Sequence, residues 1–113
     1  MKIALDFDNT YSADPNFWNL FLRITKICGH EVRIVTARDE RFDRTAALVE
    51  LEQRVPVVYC RGVAKKWFMT HFGEGFAVDV WIDDKPESIL INSEFAPDKL
   101  AEWRANRDEG DCL

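Results

Sequence analysis

An α/β fold built on a parallel sheet is predicted for this 113-residue chain from three observations. Short β-rich runs alternate with amphipathic helical patterns, the signature of βαβ units. Three of those runs end in acidic or hydroxyl side chains. The composition, with 47% hydrophobic and 31% charged residues, four Trp and eight Phe, supplies one core in a chain too short for two.

The first run covers residues 2–7, Lys-Ile-Ala-Leu-Asp-Phe. Asp14-Pro15 then offers a helix start, and Phe17, Leu20, Phe21, Ile24 and Ile27 recur at helical spacing until Gly29. Residues 32–36 are the second run. Phe42, Ala46, Leu48 and Val49 line a second helix, which Pro56 ends. Residues 56–60 are the third run, and Ala64, Trp67, Phe68 and His71 suit a third helix closed by Gly73. Residues 78–83 are the fourth run. A last helical pattern extends over 97–106, docked by Trp103, and the tail 108–113 is expected to fray. One domain over 1–107 follows, with no repeat and no linker. Trp18, Phe21, Phe68 and Trp81 read as core, and His30 and His71 as structural.

The net charge of -5 argues against a broad, non-specific grip on nucleic acid, which needs a basic face, but leaves room for a local basic pocket. No apolar run is long enough to span a bilayer. Residues 1–6 lack the pattern of a signal peptide. Cys28, Cys60 and Cys112 are odd in number and lack CxxC spacing, so they read as buried reduced thiols. Together these features point to the cytosol and to no membrane partner.

The right-handed crossover rule gathers the carboxyl ends of parallel strands along one edge, where helix N-termini also point. That edge would carry Asp6-Phe7-Asp8-Asn9-Thr10, then Thr36-Ala37-Arg38, then Arg61-Gly62 leading to Lys65 and Lys66, and finally Asp83-Asp84-Lys85. A like-charge pair about 4 Å apart costs on the order of 4 kcal/mol near a protein surface. A hard divalent cation offsets that repulsion, and a set of oxygen ligands without His or Cys favours Mg²⁺ over zinc. The same cation can bridge to a phosphate oxygen. Two carboxylates of different environment can divide the work: one attacks phosphorus, while the other passes a proton to the leaving oxygen and later takes one from water. Thr36 and Lys65 can hold the transferring phosphate.

These residues resemble the haloacid dehalogenase (HAD) superfamily. Its four motifs are an Asp-x-Asp-x-Thr loop, a strand ending in Thr or Ser, a Lys, and a strand ending in paired acids. Here they read Asp6-Phe7-Asp8-Asn9-Thr10, Ile34-Val35-Thr36, Lys65 and Trp81-Ile82-Asp83-Asp84, in that order over residues 2 to 85. The resemblance implies a three-layer, Rossmann-like sheet and a phosphatase acting through an aspartyl-phosphate on Asp6. It makes Asp8 the acid/base, with its backbone carbonyl on Mg²⁺. Asp6 and Asp83 become metal ligands, and Asp84 a ligand directly or through water. Substrate phosphate would be met by Asn9, Thr10, Thr36, Ala37, Arg38 and Lys65, with Lys66 the alternative to Lys65. Asn9 stands where the family usually has Gly, and Asn tolerates left-handed backbone better than other non-glycine residues.

Only residues 11–16 separate the first motif from the first helix, and 38–65 hold one helix and one strand, which leaves no room for a cap domain. An uncapped site suits a large substrate, such as a polynucleotide end or a phosphoprotein, or a lid supplied by oligomerisation. Arg38, Arg41 and Arg44 are spaced to share a helical face; they serve either surface ion pairs with Asp39, Glu40 and Asp43 or a second phosphate. The Thr36-Ala37-Arg38 and Asp83-Asp84-Lys85 pattern is similar to the phosphatase domains of polynucleotide kinase–phosphatases, which implies a 3′-phosphate end as a substrate. Two other readings compete: a phosphate-binding adapter of the same fold without turnover, and a response-regulator receiver. The receiver places its acid pair first and its Lys last, the reverse of the order here.

Overall fold

The structure is a computed structural model that describes residues 1–94 and 96. The helix expected over 97–106, its docking residue Trp103, the tail 108–113 and Cys112 lie outside the described residues. Four strands, β1 (Lys2–Leu5), β2 (Glu31–Thr36), β3 (Val57–Tyr59) and β4 (Val80–Ile82), form one sheet in the order β3-β2-β1-β4. Every pairing is parallel. Between them lie α1 (Pro15–Ile27), α2 (Ala46–Glu52) and α3 (Lys65–Phe72), and α4 (Glu87–Leu90) follows β4. The strand alternation and the α/β class expected from sequence are both present. The short α4 had no legible signal. Among the described residues no helix is long and apolar enough to cross a membrane.

Alternation along the strands builds two cores. Leu5 and Ile34 face one side, with Phe7, Tyr11, Leu48, Leu51 and Val55, and Trp18 and Leu22 of α1 pack on that cluster. Ala4 and Val35 face the other side, with Cys60, Met69 and Phe76, against which Phe68 and Trp81 pack. The sheet is therefore covered by α1 and α2 on one face and by α3 on the other. This is why β1 reads as a continuous apolar run: Ile3, Ala4 and Leu5 are all buried.

α1 begins and ends where the sequence indicates. The Asp14 carboxylate accepts from Phe17 N–H at 3.2 Å, with Pro15 in the first turn. At its end Gly29 has φ +83°, its N–H reaching Lys26 O and that of His30 reaching Thr25 O, a Schellman closure. Its orientation is the first correction. Phe17, Leu20, Ile24 and Ile27 point to solvent and Phe21 is half-buried, while Trp18, Leu22 and the buried Thr25 face the sheet. Two apolar stripes coexist on this helix, and the one carrying the indole was taken up by the core.

The second correction concerns α2. The helix starts at Ala46, capped by Thr45, whose hydroxyl accepts from Leu48 N–H at 3.4 Å. Phe42 lies before it and is 76% exposed. Residues 38–44 are irregular because the buried Asp39 organises them instead. Its carboxylate accepts from the Arg41 N–H and guanidinium, and its carbonyl from Phe42 and Asp43 N–H. The third correction is Cys28, which is exposed at the end of α1; Cys60 is buried as expected, and burial pushes its thiol up to about 12.

Candidate functional site

Register explains why the acids meet. Leu5 pairs with Ile82 across β1 and β4, so Asp6 and Asp83 emerge side by side at the carboxyl edge of the sheet. Asp6 N–H still donates to Ile82 O at 2.9 Å. After Phe7 the chain folds back on itself, with Asn9 at φ +59°, the left-handed conformation that Asn accepts. Tyr11 N–H closes the turn on Asp6 O at 3.2 Å, and Ser12 N–H on Phe7 O at 2.9 Å. The turn delivers the Thr10 hydroxyl to 3.2 Å from Asp6 Oδ2 and 3.0 Å from Asp84 Oδ1, while Asp84 N–H donates to it at 3.3 Å.

Lys65 completes the cluster from the opposite face. It is the first residue of α3 and 2% exposed. Its ammonium donates to Asp6 Oδ1 at 2.8 Å and to Asp83 Oδ2 at 2.6 Å. Burial works to lower its pKa, but the hydrogen bonds it donates to Asp6 and Asp83 outweigh that and the ammonium is held more firmly protonated. Lys66 is exposed, so the geometry distinguishes the two neighbours that spacing left open.

Sequence reasoning missed the supports of this cluster. Asn92 Oδ1 accepts from Ala64 N–H at 2.7 Å and so holds the start of α3. Ser88 Oγ lies 3.3 Å from Asp83 Oδ2, and Lys85 N–H donates to Asp83 Oδ1 at 2.9 Å. Asn92 stands 28 positions from its partner, and no local pattern announces it.

The electrostatics are unbalanced. One carboxylate oxygen each from Asp6, Asp83 and Asp84 lies within 4.8 Å of the others, against a single ammonium. Burial, and then the hydrogen bond to Asp84, raise Asp6 to about 7, with Lys65 opposing. Asp84 is held below the ordinary carboxylate range, chiefly by that same hydrogen bond with Asp6. A donor set of carboxylate oxygens alone fits a hard divalent ion of the Mg²⁺ or Ca²⁺ kind and offers nothing to a soft metal.

Asp8 is elsewhere. Its carboxylate, 45% exposed, is gripped by Arg38, with Nη2 at 2.7 Å from Oδ1 and Nε at 3.0 Å from Oδ2. Arg38 also donates through Nη1 to Asp43 O at 3.0 Å and stacks over Phe7, 5.4 Å from the ring centre. Thr36 is fully buried at the end of β2, and its hydroxyl accepts from Arg38 N–H at 3.2 Å. Ala37, between them, is exposed. Arg41 and Arg44 do not share a helical face with Arg38: they are committed to Asp39 and Glu52. Of the residues expected at the site, Asp6, Thr10, Lys65, Asp83 and Asp84 thus touch one another, and Asp8, Thr36 and Arg38 form an adjoining group.

The cluster lies at the carboxyl edge of the sheet, with Asp6, Asp83 and Lys65 almost fully buried at the side chain. A concavity of about 470 Å³ lies on the β3 side, lined by Arg33, Val58, Tyr59, Arg61, Phe68 and others, and shares none of these residues. Asp84 and Ala37 face solvent, and no inserted domain stands over them among the described residues. Comparison with protein-family models, with curated proteins and with solved structures finds no match to this chain.

Proposed function

We propose that this chain is a Mg²⁺-dependent phosphatase of the HAD type, hydrolysing phosphate monoesters through an aspartyl-phosphate on Asp6. The observation that carries the reading is the double contact of Lys65 with Asp6 and Asp83, beside Asp84. Residues from three separate segments are brought to one point with a charge deficit that a divalent cation and a phosphate would together balance.

Asp6, Asp83 and Asp84 would hold the cation, with the Asp8 carbonyl as a further oxygen. Bound there, it would neutralise carboxylate and phosphate charge alike. Lys65 holds Asp6 Oδ1 and leaves Oδ2, beside Thr10, as the attacking oxygen. Attack forms the Asp6–phosphorus bond and breaks the ester P–O bond. Asp8 gives its proton to the departing oxygen, then takes one from the water that attacks phosphorus and frees Asp6. Both Asp8 oxygens are occupied by Arg38, so Asp8 must turn away from the guanidinium to act. Arg38 is then free to bind an anionic group of the substrate, which suits a large, multiply charged ester such as a polynucleotide 3′-phosphate.

The test is hydrolysis of an aryl phosphate with and without Mg²⁺, followed by a panel of nucleotides, sugar phosphates, phosphopeptides and 3′- or 5′-phosphorylated oligonucleotides. Turnover that disappears on chelation and in Asp6→Asn is expected. Turnover retained in Asp6→Asn, or none on any substrate, overturns the reading; the second outcome would leave a phosphate-binding module without chemistry.

A further inference from the structure

Among the described residues, the outer face of α1 has no partner. Phe17, Leu20, Ile24 and Ile27 are 55%, 48%, 51% and 84% exposed, although each is large and apolar. Scattered exposed hydrophobics are ordinary, but these four are not scattered. Their spacing of three, four and three residues is the a/d seam of a helix that packs against another helix. The core does not need them, since Trp18, Leu22 and Thr25 already seat α1 on the sheet. Capping by Asp14 and the Schellman closure at Gly29 fix the helix ends, so the stripe is a rigid, preformed surface.

From this surface we infer that the chain forms a two-fold homodimer through α1, with the stripe of one copy on the stripe of the other. Charge selects this face for self-association. The molecule carries a net charge of -5, which opposes contact between copies over most of its surface. α1 contains no Asp or Glu between Pro15 and Ile27; its only charged side chains are Arg23 and Lys26. It is a face on which two acidic molecules can meet without opposing carboxylates. An a/d seam is also self-complementary, as an isologous interface requires. The four side chains leave on the order of 400 Å² of apolar surface in water, about half of what each partner contributes to a standard interface. A weak, concentration-dependent dimer, with Kd on the order of micromolar, is expected from so small an interface.

Sedimentation velocity on the 113-residue chain from about 1 to 200 µM spans that range. The wild type is expected to pass from monomer to dimer across it, and Ile24→Glu to remain monomeric throughout with an unchanged far-ultraviolet circular dichroism spectrum. Leu20→Lys serves as a second variant should the first fail to fold, with the same result expected. A wild type that stays monomeric at the highest concentration overturns the proposal, and the stripe then belongs to residues 97–113 of the same chain or to another protein. A dimer that persists in both variants also overturns it, because the interface is then elsewhere.

Discussion

Arg38 holds Asp8 by both carboxylate oxygens, at 2.7 and 3.0 Å, and the same guanidinium ties down the loop at Asp43 O. Under the proposed mechanism this pairing has a kinetic consequence. Asp8 has to leave that fork to act, and the freed guanidinium can then take an anionic group of the substrate in the same bidentate way. Arg38→Ala is expected to lower kcat/KM by about tenfold or more, and Arg38→Lys to recover only part of it, since an ammonium cannot make the parallel pair. Steady-state kinetics with an aryl phosphate measure this. Equal rates in all three proteins would reduce Arg38 to a surface ion pair.

Asp8 itself is half-exposed and its only side-chain hydrogen bonds among those described are to Arg38. Replacing it with Asn is therefore expected to leave the fold nearly untouched while removing the proposed proton donor. A loss of about 10²–10⁴ in kcat is the range for a general acid/base. Thermal unfolding should shift little, and rapid-quench trapping of phosphorylated protein separates slow departure of the leaving group from slow hydrolysis. A wild-type rate excludes Asp8 from the chemistry.

Much of this arrangement was legible because parallel strands bury both faces. Runs such as Ile3-Ala4-Leu5 announce themselves, and the residue after each run must lie at the carboxyl edge. Asn9 was legible for a similar reason, its turn requiring φ near +59°. The orientation of α1 was not: periodicity shows that a stripe exists but not which of two stripes the sheet will take, and Trp18 decided that. Residues 38–44 misled because helical spacing of Arg38, Arg41 and Arg44 is also compatible with a loop wound around one buried carboxylate, Asp39. Long-range supports such as Asn92 leave no local trace.

Among the described residues, Lys65 is the only cation in contact with Asp6 and Asp83, and it is 2% exposed. Lys65→Met keeps the length of the side chain and removes the charge. Asp83, and Asp6 where the pH is high enough to ionise it, then lie buried without compensation, a class of change that destabilises by up to about 3–5 kcal/mol. Chemical denaturation without metal is expected to show that loss, and Mg²⁺ in excess to restore part of it, because the cation supplies the missing charge. Activity should not return, since the ammonium also holds the proposed nucleophile.

The raised pKa of Asp6 makes the metal-free protein sensitive to pH in an unusual direction. With the group at about 7 when folded and 3.8 as its ordinary value, the folded chain binds the proton more tightly. Stability contributed by that proton is complete below about 4 and is lost as pH rises toward and through about 7. The total is on the order of 2–4 kcal/mol. In the presence of chelator, the wild-type unfolding midpoint should fall between pH 5 and pH 8 through this group, whereas Asp6→Asn, which cannot ionise, should lack that component of the fall. At pH 8 the variant should be the more stable by about 1–2 kcal/mol, the remainder being offset by the contact that Lys65 loses. Mg²⁺ should close the gap from the wild-type side, by stabilising the ionised Asp6. Parallel pH profiles for the two proteins without metal would mean that Asp6 titrates as an ordinary surface carboxylate and that the cluster is solvated.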